Sequence, residues 1–488
     1  MKDLRRLFSY FLAVALLIVT MGCGGGSNLG RPTMPQGGFT NANLVGPYAF
    51  SFSGTDSLGF FFAVAGSLSA DGAGHITGGV EDINRVGGVF TNVPISGTYT
   101  IQADGRGQAT LNSAAGNMTL AFVVISAQHG LVTRFETAAT GSGTLDLQNA
   151  GAFSTAALAG TFAINLSGID AASNPEATVG SVTTDATGAV TSGATDLSDN
   201  GVILTNQAIT TAGSSIAVGA SNGRGVATIV TTTGTLHFAF YVVDANHLKL
   251  VETDVAPVLA GDALRQSGPF TNASLAGPFA FTVAGGDAAF GPFAAGGVLT
   301  SDGAGNITSG TEDINDAGAV FTALALTGTY SISGNRGTLT LTNTKGTFNF
   351  VIYPTASGVQ AMGTDAGFVS SGVALQQSGT FSNATIQGNY GSNFTASASA
   401  GEIDAVAEFN ATGGGSLKGI TDINNALVLV PATGLTGSYT VGANGRGQLT
   451  LNTVLGGQNM EIYVVNANHV LFIERDVNVV AVGEFDHQ

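Results

Sequence analysis

The sequence predicts an all-β protein: four tandem small antiparallel domains, each an eight-stranded up-and-down β-barrel, with a β-sandwich as the alternative. Three observations lead there. First, one phrase opens four stretches of chain. It reads Phe39-Thr-Asn-Ala-Asn-Leu-Val-Gly46, Phe153-Ser-Thr-Ala-Ala-Leu-Ala-Gly160, Phe270-Thr-Asn-Ala-Ser-Leu-Ala-Gly277 and Phe381-Ser-Asn-Ala-Thr-Ile-Gln-Gly388, with first residues 114, 117 and 111 positions apart. Second, apolar and polar residues alternate over short runs, the period of a half-buried strand. Third, Gly, Asn and Asp punctuate those runs, and no amphipathic helical period interrupts them.

The repeat sets the domain organisation. A unit of about 110 residues can close its own core, whereas solenoid units of about 20–50 residues cannot. Beads on a string are therefore expected rather than one superhelix. The boundaries read as a leader at 1–22, a flexible tether at 23–38, and β-repeats at 39–149, 150–267, 268–378 and 379–488. Linkers such as Ser267-Gly268-Pro269 and Ser378-Gly379-Thr380 are very short and limit reorientation of neighbours.

The first repeat gives the plan in order. Tyr48, Phe50 and Phe52 alternate with Ala49, Ser51 and Ser53 in a first strand. Residues 60–70 form a second, ending in the hairpin turn Asp71-Gly72-Ala73-Gly74, whose glycines can take positive φ. A third runs from His75 to about Asp82, and a fourth contains Gly97–Ile101. The turn Asp104-Gly105-Arg106-Gly107 leads into a fifth with Ala109 and Leu111. A sixth places Met118, Leu120, Phe122 and Val124 on one face. The seventh spans 131–136 and the eighth 143–147. A meander of eight closes naturally, and closure removes exposed edges. The architecture is similar to the lipocalin and avidin group of small barrels. The chain has no Trp, which those families place on the first strand, so their ligand chemistry is not implied.

Composition excludes some functions. Only 10% of residues are charged, but 44% are apolar and 29 are Phe, which points to folded domains rather than disorder. The net charge is −17, and removing residues 1–22 brings it to about −19. No basic stripe for nucleic acid is present.

The N-terminus reads as a secretory leader: Lys2, Arg5 and Arg6, then an apolar stretch over 7–19 that is short for a membrane span. Gly22 and Cys23 follow. Here the chain resembles a bacterial lipoprotein signal, with Gly22 before the cleavage point and Cys23 as the lipidated first mature residue. Thr20 departs from the aliphatic residue of that pattern. Cys23 is the sole cysteine, so it has no intrachain disulfide partner, and Gly24-Gly25-Gly26-Ser27 follows as a flexible tether. The resemblance implies a cell-envelope lipoprotein held in the membrane through its lipid, at the outer membrane or cell surface; secretion is the alternative. The whole chain resembles the repeat-built surface lipoproteins of bacteria.

Two positions recur in every repeat. One is the arginine of the Gly-Arg-Gly turn, at Arg106, Arg224, Arg336 and Arg446. The other is an aspartate near the third strand's end, at Asp82, Asp196, Asp313 and Asp422. Matched Arg and Asp positions predict a structural ion pair tying two turns at one end of each barrel. His129, His247 and His469 precede the seventh strand in three repeats and read as polar turn residues, since no metal-ligand spacing accompanies them. Asp71-Gly-Ala-Gly and Asp302-Gly-Ala-Gly lack the ligand pattern of a calcium loop. Neighbouring Glu81-Asp82 and Glu312-Asp313 point to opposite faces and cannot act as a facing acid–base pair. Of Phe60-Phe61-Phe62, two rings are expected in the core, with Phe61 outward in a contact patch. No catalytic residue, metal or cofactor is expected. The expected function is a structural, adhesive or interaction scaffold with a surface polymer or protein as partner. The alternative is binding of a small molecule or glycan inside or at the mouth of each barrel.

Overall fold

The computed structural model describes residues 38–287 and 291–488. The leader, Cys23 and all but the last residue of the tether lie outside them. The four barrels belong to one compact unit spanning Pro35–Gln488.

Barrel 1 is an eight-stranded meander: Val45–Asp56, Phe61–Asp71, His75–Arg85, Gly88–Ile101, Arg106–Ser113, Met118–Ser126, His129–Glu136 and Ala139–Leu147. It closes where the first strand pairs the eighth, Tyr48 opposite Leu147. Barrel 4 repeats this over Gln387–Ala398 to Val479–His487 and closes with Tyr390 opposite His487. In barrels 2 and 3 the long fourth strand is broken, into Val202–Ala208 and Thr210–Val218, and into Ala319–Ala325 and Thr327–Gly334. Barrel 3 still closes through Asn306–Thr329 and Ile307–Gly328 pairing. Barrel 2 is nearly closed, with a single bridge from Ala189 to Ser215. The sandwich alternative is thereby settled in favour of barrels.

The opening phrase folds as a short 3-10 turn at the mouth of each barrel, an element the strand reading missed. In barrel 1 it covers Asn41–Asn43 behind the N-cap Thr40. Asn41 Oδ1 accepts from Ile101 N at 2.8 Å, and Asn272 and Asn383 do the same for Ile332 and Val441. Thr155 takes this role in barrel 2, accepting from Val218 N at 3.1 Å.

Each interior is filled by its own side chains. Tyr48, Phe50, Phe52, Phe62, Leu111 and Phe122 lie in the core of barrel 1. Voids of ≈ 50, 40 and 20 Å³ remain in barrels 2, 3 and 4. These hold a water molecule or two, not a ligand. Of the Phe60–Phe62 trio only Phe62 is in the core. Phe60 is exposed before the strand begins, because the strand starts one residue later than expected.

The barrels do not hang on a string. The outward face of each barrel's first strands packs against the sixth, seventh and eighth strands of the next. Ala49, Ala63 and Ala65 of barrel 1 meet Ala239, Tyr241, Val251 and Val258 of barrel 2, with Phe61 packed on the same cluster. Ala163, Ala177 and Val179 meet Val351, Tyr353 and Met362, and Ala280, Ala294 and Val298 meet Tyr463, Leu471 and Ile473. Barrel 4 then meets barrel 1: Val406 packs among Ala121, Val123, Ile125, Leu131 and Phe135. The cycle 1–2–3–4–1 is closed. Small residues on one face receive bulky ones from the other. A Cβ on Gly296 would lie 2.4 Å from the Tyr463 ring, and one on Gly391 would lie 2.4 Å from Ile125.

Candidate functional site

The recurring arginines and aspartates all lie in these seams. The sequence reading placed each pair within one barrel; the structure forms each between neighbours. Arg224 of barrel 2 donates through Nε and Nη2 to Asp82 of barrel 1 at 2.7 and 2.6 Å. Arg336 of barrel 3 grips Asp196 of barrel 2 at 2.8 and 2.6 Å. Arg446 of barrel 4 grips Asp313 of barrel 3 at the same two distances. Arg106 of barrel 1 donates from Nη1 to Asp422 of barrel 4 at 2.9 Å. The correction has a simple cause. Asp82 and its counterparts point outward from the strand, away from the turn arginine of their own barrel.

Each aspartate is fixed first by its own barrel. A bulge in the fourth strand puts one residue in the left-handed region, and its N–H points at the carboxylate. Asn92 (φ 52°), Asn206 (φ 54°), Ala323 (φ 55°) and Ala432 (φ 46°) donate to Asp82, Asp196, Asp313 and Asp422 at 2.9, 2.7, 2.7 and 2.8 Å. This left-handed backbone orients the carboxylate that the neighbour's guanidinium also holds.

Three further residue types complete the seams. A tyrosine from the sixth strand donates to the same aspartate: Tyr241 to Asp82, Tyr353 to Asp196, and Tyr463 to Asp313 at 2.9 Å. Burial, then the adjacent aspartate, pushes each phenol above its ordinary range. A glutamine at the end of each barrel caps the next barrel's arginine turn. Gln148 Nε2 donates to Asn222 O and Val242 O, Gln266 to Asn335 O and Pro354 O, and Gln377 to Asn444 O and Val464 O. Gln488 closes the cycle on Asp104 O and Val124 O, at 3.2 and 2.8 Å. Finally, Asn84, Asn315 and Asn424 each donate to three carbonyls of the next barrel. Barrel 2 has Ser198 there, and its buried hydroxyl has no partner among the described residues.

The glutamine, tyrosine and asparagine roles were missed from sequence. Their signal was present: a Gln ends every eighth-strand phrase, and Tyr241, Tyr353 and Tyr463 sit at one register.

The remaining sequence candidates are placed as follows. Asp71 Oδ1 accepts from Ala73 N and His75 N, and Asp302 Oδ1 from Ala304 N and Asn306 N, so these carboxylates shape their own turns. Glu81 and Glu312 face the barrel interiors while Asp82 and Asp313 face the seams. Burial pushes both glutamates up to about 7. His129, His247 and His469 each hydrogen-bond an acid, Asp146, Asp262 and Asp486, at 2.6, 2.7 and 2.6 Å. Lys249 is fully buried in the first seam, where Nζ pairs with Asp146 at 2.8 Å. Burial draws its ammonium down, but Asp146 and Asp262 outweigh that and hold it up.

A larger opening is also present among the described residues. A cavity of ≈ 460 Å³ at the mouth of barrel 4 is lined by Phe394, Asn425, Gln458, Glu474, Arg475 and Asp476, among others.

No protein-family model matches the chain, and no curated protein matches it. Among solved structures it is similar to a double mutant of transferrin binding protein B, a vaccine antigen of Haemophilus parasuis Hp5. The two share 10% identity over 90% of this chain and 75% of that one, with a TM-score of 0.20. A likeness at that level bears on neither the ring nor its role.

Proposed function

We propose that the protein is a non-catalytic cell-envelope lipoprotein, anchored through Cys23, whose four barrels form a stiff ring that presents a surface to a polymer or protein partner. One observation carries this reading: the polar residues that recur in the repeats, Arg, Asp, Tyr, Gln and Asn, are spent on contacts between barrels. Repetition here serves assembly, and filled interiors leave no room for four identical ligands. The Gly-rich stretch after Cys23 suits a body standing off a membrane, and two or more acyl chains would hold it stably.

Metabolic labelling with a palmitate analogue tests the anchor. The full chain should be labelled and found in the membrane fraction, and Cys23→Ser should be neither. Label that persists in Cys23→Ser would refute the anchor. A second reading, glycan binding, is favoured only at the mouth of barrel 4, where aromatic Phe394 adjoins polar Asn425, Gln458 and Arg475. Calorimetry against envelope oligosaccharides, with Arg475→Ala as the comparison, separates the two readings.

A further inference from the structure

At the end away from its 3-10 turn, barrel 4 is open. Barrels 1 and 3 fill that end with rings. Phe62 lies opposite Gly54 near the start of the second strand, with the Arg134 guanidinium over its ring at 4.7 Å. Phe293 lies opposite Gly285 at the same place in barrel 3; it and Phe348 pack on Phe368, with centroids 4.8 and 6.1 Å apart. In barrel 4 the matching residue, opposite Ala396, is Ile403, and Glu474 stands where barrel 1 has Arg134. A further exchange changes the chemistry. At one register of the fifth and sixth strands the first three barrels have Met118, Leu236 and Phe348, and the fourth has Gln458.

These smaller and more polar residues leave the cavity of ≈ 460 Å³. Phe394, Ile403 and Ile423 give it apolar lining. Asn425 and Gln458 give it two amides that make no side-chain hydrogen bond among the described residues. Each amide offers donors and an acceptor. Arg475 and Asp476 offset each other in charge. Glu474 is buried, and burial, then Asp476, pushes it up to about 9, so it adds no charge at neutral pH. Towards the barrel core the cavity is blind: the void between Leu435, Met460 and Phe472 is ≈ 20 Å³, room for a single water.

The lining selects a ligand. A hydrocarbon would leave both amides unpaired, and an ion would find no net counter-charge. A sugar ring meets both halves, with a C–H face for the apolar lining and a rim of hydroxyls for the amides. The volume suits one small molecule, and the blind inner end admits a longer chain only by its tip.

The open end faces away from the chain's entry. Phe39 N donates to Ala103 O, at the turn between the fourth and fifth strands of barrel 1. Gln488 of barrel 4 reaches that same turn at Asp104 O. Asn424, next to the cavity residue Asn425, instead reaches the opposite end of barrel 1, at Arg134 O, Glu136 O and Ala139 O. Barrels 1 and 4 therefore stand side by side in the same sense, with the cavity on the far face from Phe39.

We propose that the open end of barrel 4 captures the terminal sugar residue of a neutral glycan, its hydroxyls held by Asn425 and Gln458. This rests on the glycan reading of the same site and adds the part of the glycan that is bound.

The test applies the full chain carrying Cys23→Ser to an array of neutral and acidic oligosaccharides fixed through their reducing ends. The bound members should be neutral and share one terminal residue, and trimming that residue with an exoglycosidase should weaken binding at least tenfold. Gln458→Met and Ile403→Phe, which restore the residues of barrel 1, should each weaken it at least tenfold while circular dichroism stays unchanged. Binding that is lost in both variants but survives trimming, or that favours acidic members, would overturn terminal capture and leave the glycan reading standing. No binding to any member, or binding that both variants retain, would overturn the two together.

Discussion

Three seams join barrels that are consecutive in the chain; the fourth joins barrels 4 and 1, whose sequences are farthest apart. All four use the same positions. The three linked seams hold their aspartate by a bidentate arginine and a tyrosine hydroxyl. The closing seam has Val123 at the tyrosine position, and its arginine is shared: Arg106 reaches Asp422 through Nη1 and its own neighbour Asp104 through Nε at 3.0 Å. It also buries two acids, Glu408 and Asp404. Glu408 is fully buried with both oxygens unpartnered among the described residues, and burial, then Asp104, pushes it up to about 8. Asp404, raised by burial, accepts from Thr140 across the seam at 2.7 Å. Where the chain itself holds neighbours together, the seam is tuned for direct affinity. Where it does not, Val123 replaces the tyrosine and Glu408 and Asp404 are buried; the third linked seam also buries an acid, Glu461, which burial pushes up to about 7.

The largest expected effect comes from stripping an aspartate of its arginine. Arg224→Met leaves Asp82 buried with only Tyr241 and the Asn92 N–H as donors and should destabilise the chain by about 3–5 kcal/mol in denaturant unfolding. Arg106→Met should cost a comparable amount and also open the ring, since no linker restrains it. Small-angle scattering should show a larger radius of gyration for Arg106→Met only. Equal expansion in both variants would erase the distinction.

Next comes pH. The closed seam keeps Glu408 protonated up to about pH 8, while an unfolded Glu releases its proton near 4.5. Its contribution is therefore complete below about 4.5 and is lost as pH rises to 8, at about 1.4 kcal/mol per unit. Stability measured from pH 5 to 9 should fall less steeply in Glu408→Gln. An unchanged slope would remove Glu408 as the responsive group.

Tyr463→Phe removes one donor from buried Asp313 and should cost about 1.5–3 kcal/mol. A value near zero would mean the arginine alone suffices, as it does in the closing seam. Smallest is Gln488→Ala, which gives up two amide hydrogen bonds and should cost about 1 kcal/mol by urea unfolding.

The barrels were legible in the sequence because strand period and turn chemistry are local. The bulges at Asn92, Asn206, Ala323 and Ala432 were not, since each is set by the aspartate it serves. The ring was half legible. Arg106 and Asp82 were recognised as matched repeat positions, but a sequence gives no sign of which copy an outward side chain meets. Gln488 shows the same limit: it makes from barrel 4 to barrel 1 the contact made three times between consecutive barrels. His129 and His469 read as turn residues because their aspartate partners, Asp146 and Asp486, lie on the next strand.

The central claim is that the repeats close on themselves. Spin labels at Gln128, Asn246 and Asn468, exposed at matching turns of barrels 1, 2 and 4, test it in the Cys23→Ser background. Distances measured by double electron–electron resonance should be equally narrow for the linked pair 128–246 and the unlinked pair 128–468. A broad, longer distribution confined to 128–468 would contradict the closed ring.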